Sequence, residues 1–296
     1  MTDIITPPNP FALREDLKHI PMCNPSPTGA YKPFLHGWAD EAQIQQQRIH
    51  WMPEEVPMGQ DAKDYATLSE SEKSLIDNIL KLFTQSDIDV ANNYMTLYMP
   101  IFRNAEIARM LRAFASMEDT HVRAYSLLLE TLGLPDSHYN QFLEVEEMRA
   151  KHDLLTGFTM KDPREIATTL ALIGGFGEGL QLFSSFAMLM AFPVFGKMKG
   201  MGQIVTWSIR DETLHVAGII KLFHEFRREA GIELHDVTED ILQGVYKTVM
   251  LEDAFIDKAF ELGPIRNCNA EDMKRYIRFT ADYRLDQLGL EPIYNI

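Results

Sequence analysis

Two segments of this chain have the form Glu-x-x-His, Glu118 to His121 and Glu212 to His215, and each follows a mostly apolar helical stretch that carries an acid. In an α-helix, positions i and i+3 lie about 60° apart, so each pair offers an oxygen and a nitrogen on one face. Asp87 stands 31 residues before Glu118, and Glu178 stands 34 residues before Glu212. Where antiparallel helices are joined by a short loop, both spacings put the acid near the middle of its helix, opposite the partner Glu-x-x-His. The pattern therefore asks for four helices packed around a shared polar interior.

Glu178 is the most constrained member. It lies in Gly174-Gly175-Phe176-Gly177-Glu178-Gly179-Leu180, among apolar neighbours and small residues that let helices approach closely. An unpaired carboxylate there would cost several kcal/mol or take up a proton. Lys and Arg are scarce near Asp87 and Glu178, so inward-facing acids need another source of positive charge. Four carboxylates and two histidines converging in a bundle core are the ligand set of di-iron and di-manganese carboxylate proteins. Oxygen and nitrogen ligands without thiolate point to iron or manganese rather than structural zinc.

Helical period and punctuation predict an all-α chain. Residues 1–35 are rich in Pro and Asn and read as an extended arm, with one helical domain over 36–296. A first helix is expected from about Asp40 to Trp51, stopped by Pro53. A second starts at Ser69, with Glu72 completing a capping box, and runs to Met99 before Pro100. Asn104 caps a third that closes at Gly133. A charged fourth helix spans Pro135 to Thr156, and Asp162-Pro163 opens a fifth that ends by Pro193. Three more are expected over about Gln203 to Gly231, Val237 to Leu262 and Asn269 to Leu288. No alternating run is long enough to make a sheet.

Charge and cysteine usage narrow the function classes. Lys plus Arg number 28 against 43 Asp plus Glu, and this net charge of -15 argues against nucleic acid as a partner. Cys23 and Cys268 are far apart and in no metal-binding pattern, which fits a reducing, cytoplasmic setting. Met1 to Pro10 lacks the basic start and apolar run of an export signal. The apolar stretch Ala171 to Phe195 has the length of a membrane span but carries Glu178 and Gln181, so a buried bundle helix is expected and no membrane.

Tyr125 follows His121 by four residues and Glu118 by seven, which puts it on their helix face, and by this spacing it is the one tyrosine of ten expected beside the ligands. From about Trp51 to Tyr294 the sequence resembles the small subunit of ribonucleotide reductase. The resemblance is carried by Trp51-Met52-Pro53-Glu54-Glu55-Val56, Ser86-Asp87 with Asn92-Asn93, Glu118-x-x-His121-x-x-x-Tyr125 and Glu178-Gly179-Leu180. It continues through Ile209-Arg210-Asp211-Glu212-Thr213-Leu214-His215 and Leu288-Gly289-Leu290-x-Pro292-Ile293-Tyr294. It implies a ferritin-like bundle with additional helices. It places Asp87, Glu118 and His121 on one metal ion, and Glu178, Glu212 and His215 on the other. The implied pair is two iron ions, with dimanganese or mixed manganese/iron as alternatives. The resemblance further implies that reaction with oxygen makes a radical stored on Tyr125 and lent to the large subunit, which reduces ribonucleotides. The resemblance also implies a homodimer, and assigns Trp51 and Asp211 to the path between the site and the large subunit. Asp211, one residue from Glu212, points about 100° away and is placed to orient His121 through its second ring nitrogen.

Two departures stand out. Ser208 occupies a position one turn before Glu212 where the family has an apolar residue, which weakens the expected shielding of Tyr125. The sequence stops at Ile296, where family members continue into a flexible docking tail, so the resemblance leaves the docking contact open. Related ligand-binding oxidases carry a tyrosine five residues before the Glu178 position, where this chain has Ile173. A ferritin-like iron store would account for the ligands but not for Tyr125 together with Trp51.

Overall fold

A computed structural model describes residues 13–26 and 29–296. In chain order the helices are α1 (Gly37–Arg48), α2 (Gly59–Ala66), α3 (Glu70–Asn93), α4 (Met99–Ile101), α5 (Ala105–Leu132), α6 (His138–Gln141), α7 (Glu146–Thr156), α8 (Pro163–Leu170), α9 (Phe183–Val194), α10 (Lys199–Ala230), α11 (Thr238–Ala259) and α12 (Ala270–Leu288). Among the described residues the only β-type pairing is an isolated bridge between Ile265 and Cys268. One apolar cluster extends from Leu17 to Leu290.

Helix starts follow local chemistry. Ser69 Oγ accepts from the Glu72 N–H at 3.3 Å while Glu72 Oε2 accepts from the Ser69 N–H at 2.8 Å, closing the capping box on α3. Asn104 Oδ1 accepts from the N–H groups of Glu106 and Ile107 at the start of α5, and Asp162 does the same for Arg164 and Glu165 at α8. Gly133, Gly231 and Gly289 end α5, α10 and α12 in the left-handed conformation.

Several expected elements are altered. The first helix stops at Arg48, so Trp51 lies in the connection before a 3₁₀ turn at Pro53–Glu55. α2 was not expected from the sequence. The second helix reaches Met99 as expected, but not as a uniform α-helix, because its α-form ends at Asn93 and a π-helical segment, Tyr94–Tyr98, follows. Pro100 does not end it, since the helical run continues one residue further, to Ile101, before Phe102 turns extended. The expected charged fourth helix is broken into α6, a 3₁₀ turn at Phe142–Glu144, and α7. The fifth becomes α8, a second π-helical segment at Ala171–Glu178, a turn, and α9, which contains Pro193 one residue before its end. Of the expected N-terminal arm, residues 1–12 and 27–28 lie outside the described residues. The rest includes two 3₁₀ turns, with Leu17, Ile20, Met22 and Cys23 buried.

The core bundle pairs α3 with α5, and α8, the second π segment and α9 with α10. α1 lies along α5, while α11 and α12 cover the π segment and α9. The run Pro163–Val194 is long and apolar enough to cross a membrane, but 89% of its most apolar window is buried inside the protein. Close approach of the π segment to α10 depends on Gly174, where a Cβ would stand 2.2 Å from Ile219 Cγ2.

Candidate metal centre

Six buried side chains from four bundle elements meet in two groups. Asp87 on α3 joins Glu118 and His121 on α5, while Glu178, the last residue of the second π segment, joins Glu118 with Glu212 and His215 on α10. The candidate ligand atoms within each group lie within 4.8 Å of one another. Two ligands on opposite sides of one ion, each at about 2.2 Å, span about 4.4 Å. The groups therefore have the dimensions of ion sites.

Two carboxylates link the halves. Glu118 Oε2 is 3.2 Å from His121 Nδ1, and its Oε1 is 2.8 Å from His215 Nδ1. Glu212 Oε1 is 3.2 Å from His121 Nδ1, and its Oε2 is 3.4 Å from His215 Nδ1. The histidine rings stand 6.4 Å apart. Short distances do not make these atoms good hydrogen-bond partners: Asp87 Oδ2, Glu118 Oε1, both Glu212 oxygens and His215 Nδ1 have none. Buried lone pairs crowded together without partners fit an occupant that accepts them, as a metal ion does.

Both histidines turn Nδ1 inward and Nε2 outward. His121 Nε2 lies 3.2 Å from Asp211 Oδ2, and His215 Nε2 lies 3.0 Å from Gln46 Oε1, so each acceptor takes the proton and leaves Nδ1 free to bind. Asp211 Oδ2 also accepts from Trp51 Nε1 at 2.7 Å, making a continuous path from Trp51 through Asp211 to His121. Trp51 in turn packs against the half-buried Trp207, with ring centroids 5.0 Å apart.

Burial sets the protonation of the metal-free site. It pushes the Asp87 carboxyl well above its ordinary range, with Glu118 adding to the effect. It pushes Glu178 up to about 7 against the pull of His215. For Glu212 burial acts in the same direction, but the close approach of His121 and His215, at 3.2 and 3.4 Å, outweighs it and holds the group at about 2. Burial disfavours a charged imidazole, yet the surrounding carboxylates raise both histidines well above their ordinary value. Without metal, the imidazolium protons stand in for part of the missing positive charge.

Tyr125 is buried, and its hydroxyl donates to Ser208 Oγ at 3.0 Å. Its ring packs on Phe83 at 4.7 Å, and Phe83 packs on Phe186 at 5.2 Å. Leu182 and Phe186 are buried as well. Tyr125 does not stand alone among tyrosines, however. The buried Tyr94 hydroxyl lies 2.7 and 2.9 Å from the two Glu178 oxygens. The signal was present in the sequence, because Tyr94 follows Asp87 by the same seven residues that separate Tyr125 from Glu118. Gln46 and Trp207 carried no such signal, since their partners, His215 and Trp51, are more than 150 residues away in the chain.

Comparison with known proteins gives one consistent assignment. Residues 30–296 match the family described as ribonucleotide reductase, small chain. A probable ribonucleoside-diphosphate reductase small subunit of Invertebrate iridescent virus 6 is 40% identical over 303 residues, spanning 90% of this chain and 84% of the viral one. The ribonucleoside-diphosphate reductase subunit beta of Chlamydia pneumoniae is 28% identical over 294 residues, spanning 94% of this chain and 85% of its own. Among solved structures, a putative class I ribonucleotide reductase from Bacillus halodurans superposes with a TM-score of 0.79 at 23% identity, covering 87% of this chain and 94% of that one. The dimanganese(II) NrdF of Streptococcus sanguinis superposes with a TM-score of 0.78 at 18% identity, covering 90% and 93%. These two likenesses establish the ferritin-like helical fold.

Proposed function

Because the chain belongs to the ribonucleotide reductase small-chain family, we propose that its two ligand groups hold a pair of redox-active metal ions and that Tyr125 stores the oxidising equivalent they generate. The supporting observation is the pair of groups sharing Glu118, with both Nδ1 atoms turned inward and several buried oxygens lacking partners. Asp87, Glu118 and His121 hold one ion, and Glu178, Glu212 and His215 the other. Iron is the expected metal, with dimanganese or manganese/iron as alternatives. When bound, the pair supplies a one-electron oxidant by reaction with oxygen.

Tyr125 would give up its electron to that oxidant and its phenolic proton to the water formed as oxygen is reduced. Burial and the neighbouring Asp87 make the free phenolate unfavourable, so the electron has no preformed anion to leave from and the proton has to leave with it, giving a neutral radical. Ser208 suits both states, because its hydroxyl accepts from the phenol and can turn to donate to the radical oxygen. Phe83, Leu182 and Phe186 keep water away. Trp51, Asp211 and His121 carry the equivalent toward the large subunit, which performs the reduction of ribonucleoside diphosphates. The chain works as a cytoplasmic homodimer, with 36–296 as its ferritin-like unit.

The test is electron paramagnetic resonance after addition of iron(II) and oxygen, with metal analysis and turnover measured alongside the large subunit. Tyr125→Phe should retain two ions per chain while losing the radical signal and deoxyribonucleotide formation. Trp51→Phe should keep the signal and lose turnover. Full turnover by the Tyr125 variant would show that the oxidant is stored elsewhere.

A further inference from the structure

Tyr94 has no part in that scheme, yet it makes the one close contact from a non-ligand side chain to Glu178 among the described hydrogen bonds. Asp87 Oδ2, Glu118 Oε1 and both Glu212 oxygens have no hydrogen-bond partner, whereas both Glu178 oxygens lie within reach of the Tyr94 hydroxyl. The two residues occupy corresponding irregularities, since Tyr94 opens the first π segment and Glu178 closes the second. π-helical turns inside α-helices often mark functional sites, and each re-aims the side chains at its boundary. The tyrosine ring is held on three sides, by Tyr98 at 5.5 Å, Phe114 at 6.1 Å and His215 at 6.2 Å between centroids.

One O–H donates to one oxygen at a time. A hydroxyl fixed beside Glu178 therefore occupies one carboxylate oxygen and leaves the other for an ion. We propose that Tyr94 is a positioning residue for the ion held by Glu178, Glu212 and His215, restricting Glu178 to binding through a single oxygen. This rests on the metal-pair reading above. It gives the two halves of the site different roles for tyrosines at equivalent spacing, Tyr125 for oxidation and Tyr94 for ligand orientation.

The test is Tyr94→Phe, which keeps the ring and removes the donor. Manganese(II) binding is followed through the resonance of the free ion, and carboxylate stretches through the infrared difference between metal-loaded and metal-free protein. Partners of metal ligands typically affect affinity by about 10- to 100-fold. The affinity for one of two ions should fall by that factor, the other should stay within about twofold, and the single-oxygen carboxylate band should shift toward a two-oxygen one. Tyr98→Phe is the control, because the Tyr98 hydroxyl has no hydrogen-bond partner and its loss should change neither reading. Wild-type affinities and bands in Tyr94→Phe, or an equal loss at both ions, overturn the assignment of Tyr94. A wild-type chain binding fewer than two ions overturns the metal-pair reading itself, and this inference with it.

Discussion

Gly174→Ala is the smallest change that should separate the two halves of the site. The added Cβ would lie 2.2 Å from Ile219 Cγ2 and 2.6 Å from Ile219 Cβ, where ordinary contact begins at 3.4 Å. Rotating the Ile219 side chain relieves the first clash but not the second, because the Cβ is fixed to the backbone of α10. The π segment and α10 must therefore part by about 1 Å at this level. Inserting a methyl group into a packed core costs about 1–3 kcal/mol, against which replacing a helical glycine returns at most about 1 kcal/mol. Packing should win. Glu178 follows Gly174 by four residues and His215 precedes Ile219 by four, so the opening is felt where Glu178 Oε2 and His215 Nδ1 now stand 3.5 Å apart. Ligands at about 2.1 Å from an ion tolerate only a few tenths of an ångström of displacement. Urea unfolding of the metal-free variant should show the net loss, and manganese(II) titration should fall from two ions toward one. Adding Ile219→Ala removes the 2.2 Å contact but retains the 2.6 Å one, so recovery of the metal should be partial. A single variant with wild-type stability and two bound ions would refute this account of the glycine.

Two further outcomes are expected. Burial pushes the Cys23 thiol up to about 12 and Cys268 up to about 11, so neither should react with iodoacetamide in the native protein at pH 8.5, and both should react after unfolding. With folded values raised above the ordinary 9.0, the thiols contribute stability below that pH, and it is lost as pH climbs toward 11 to 12; rapid native labelling would contradict both statements. Sedimentation at micromolar concentration should give twice the chain mass of 33.9 kDa, and a mass near that of one chain would count against the homodimer.

What could be read from the sequence depended on the range of the interaction. Caps at Ser69, Asn104 and Asp162 link atoms two or three residues apart, and the structure reproduces them. The Glu-x-x-His pairs are of the same kind, since one helical turn fixes both members. Asp87 and Glu178 required a longer inference, that a loop returns the chain at the right height. It succeeded because burying acids in an apolar bundle is too costly to occur without a partner. The π segments were not legible, because a wide turn leaves no separate period in Tyr94–Tyr98, and in Ala171–Glu178 the glycines announce close approach but not an extra residue. The same limit hid the connection at Trp51. Its indole partner Asp211 lies 160 residues away, so local pattern offered a reason to end a helix near Pro53 and none to end it at Arg48.

Tyr94 was missed for a different reason. Residues 70–93 are regular α-helix, so the seven-residue rule that selected Tyr125 from Glu118 applies without change from Asp87 to Tyr94. What the rule lacks is the partner. Tyr125 finds Ser208 on α10, whereas Tyr94 finds Glu178, and the difference follows from which element faces each side of the bundle. A tyrosine against a neutral hydroxyl can lose its hydrogen and remain satisfied as an acceptor. A tyrosine donating to a ligand carboxylate cannot lose it without also releasing that carboxylate. Identical helical spacing thus supplies two tyrosines, and on the proposed reading the acceptor across the interface decides which one could be oxidised without disturbing the ligand carboxylates.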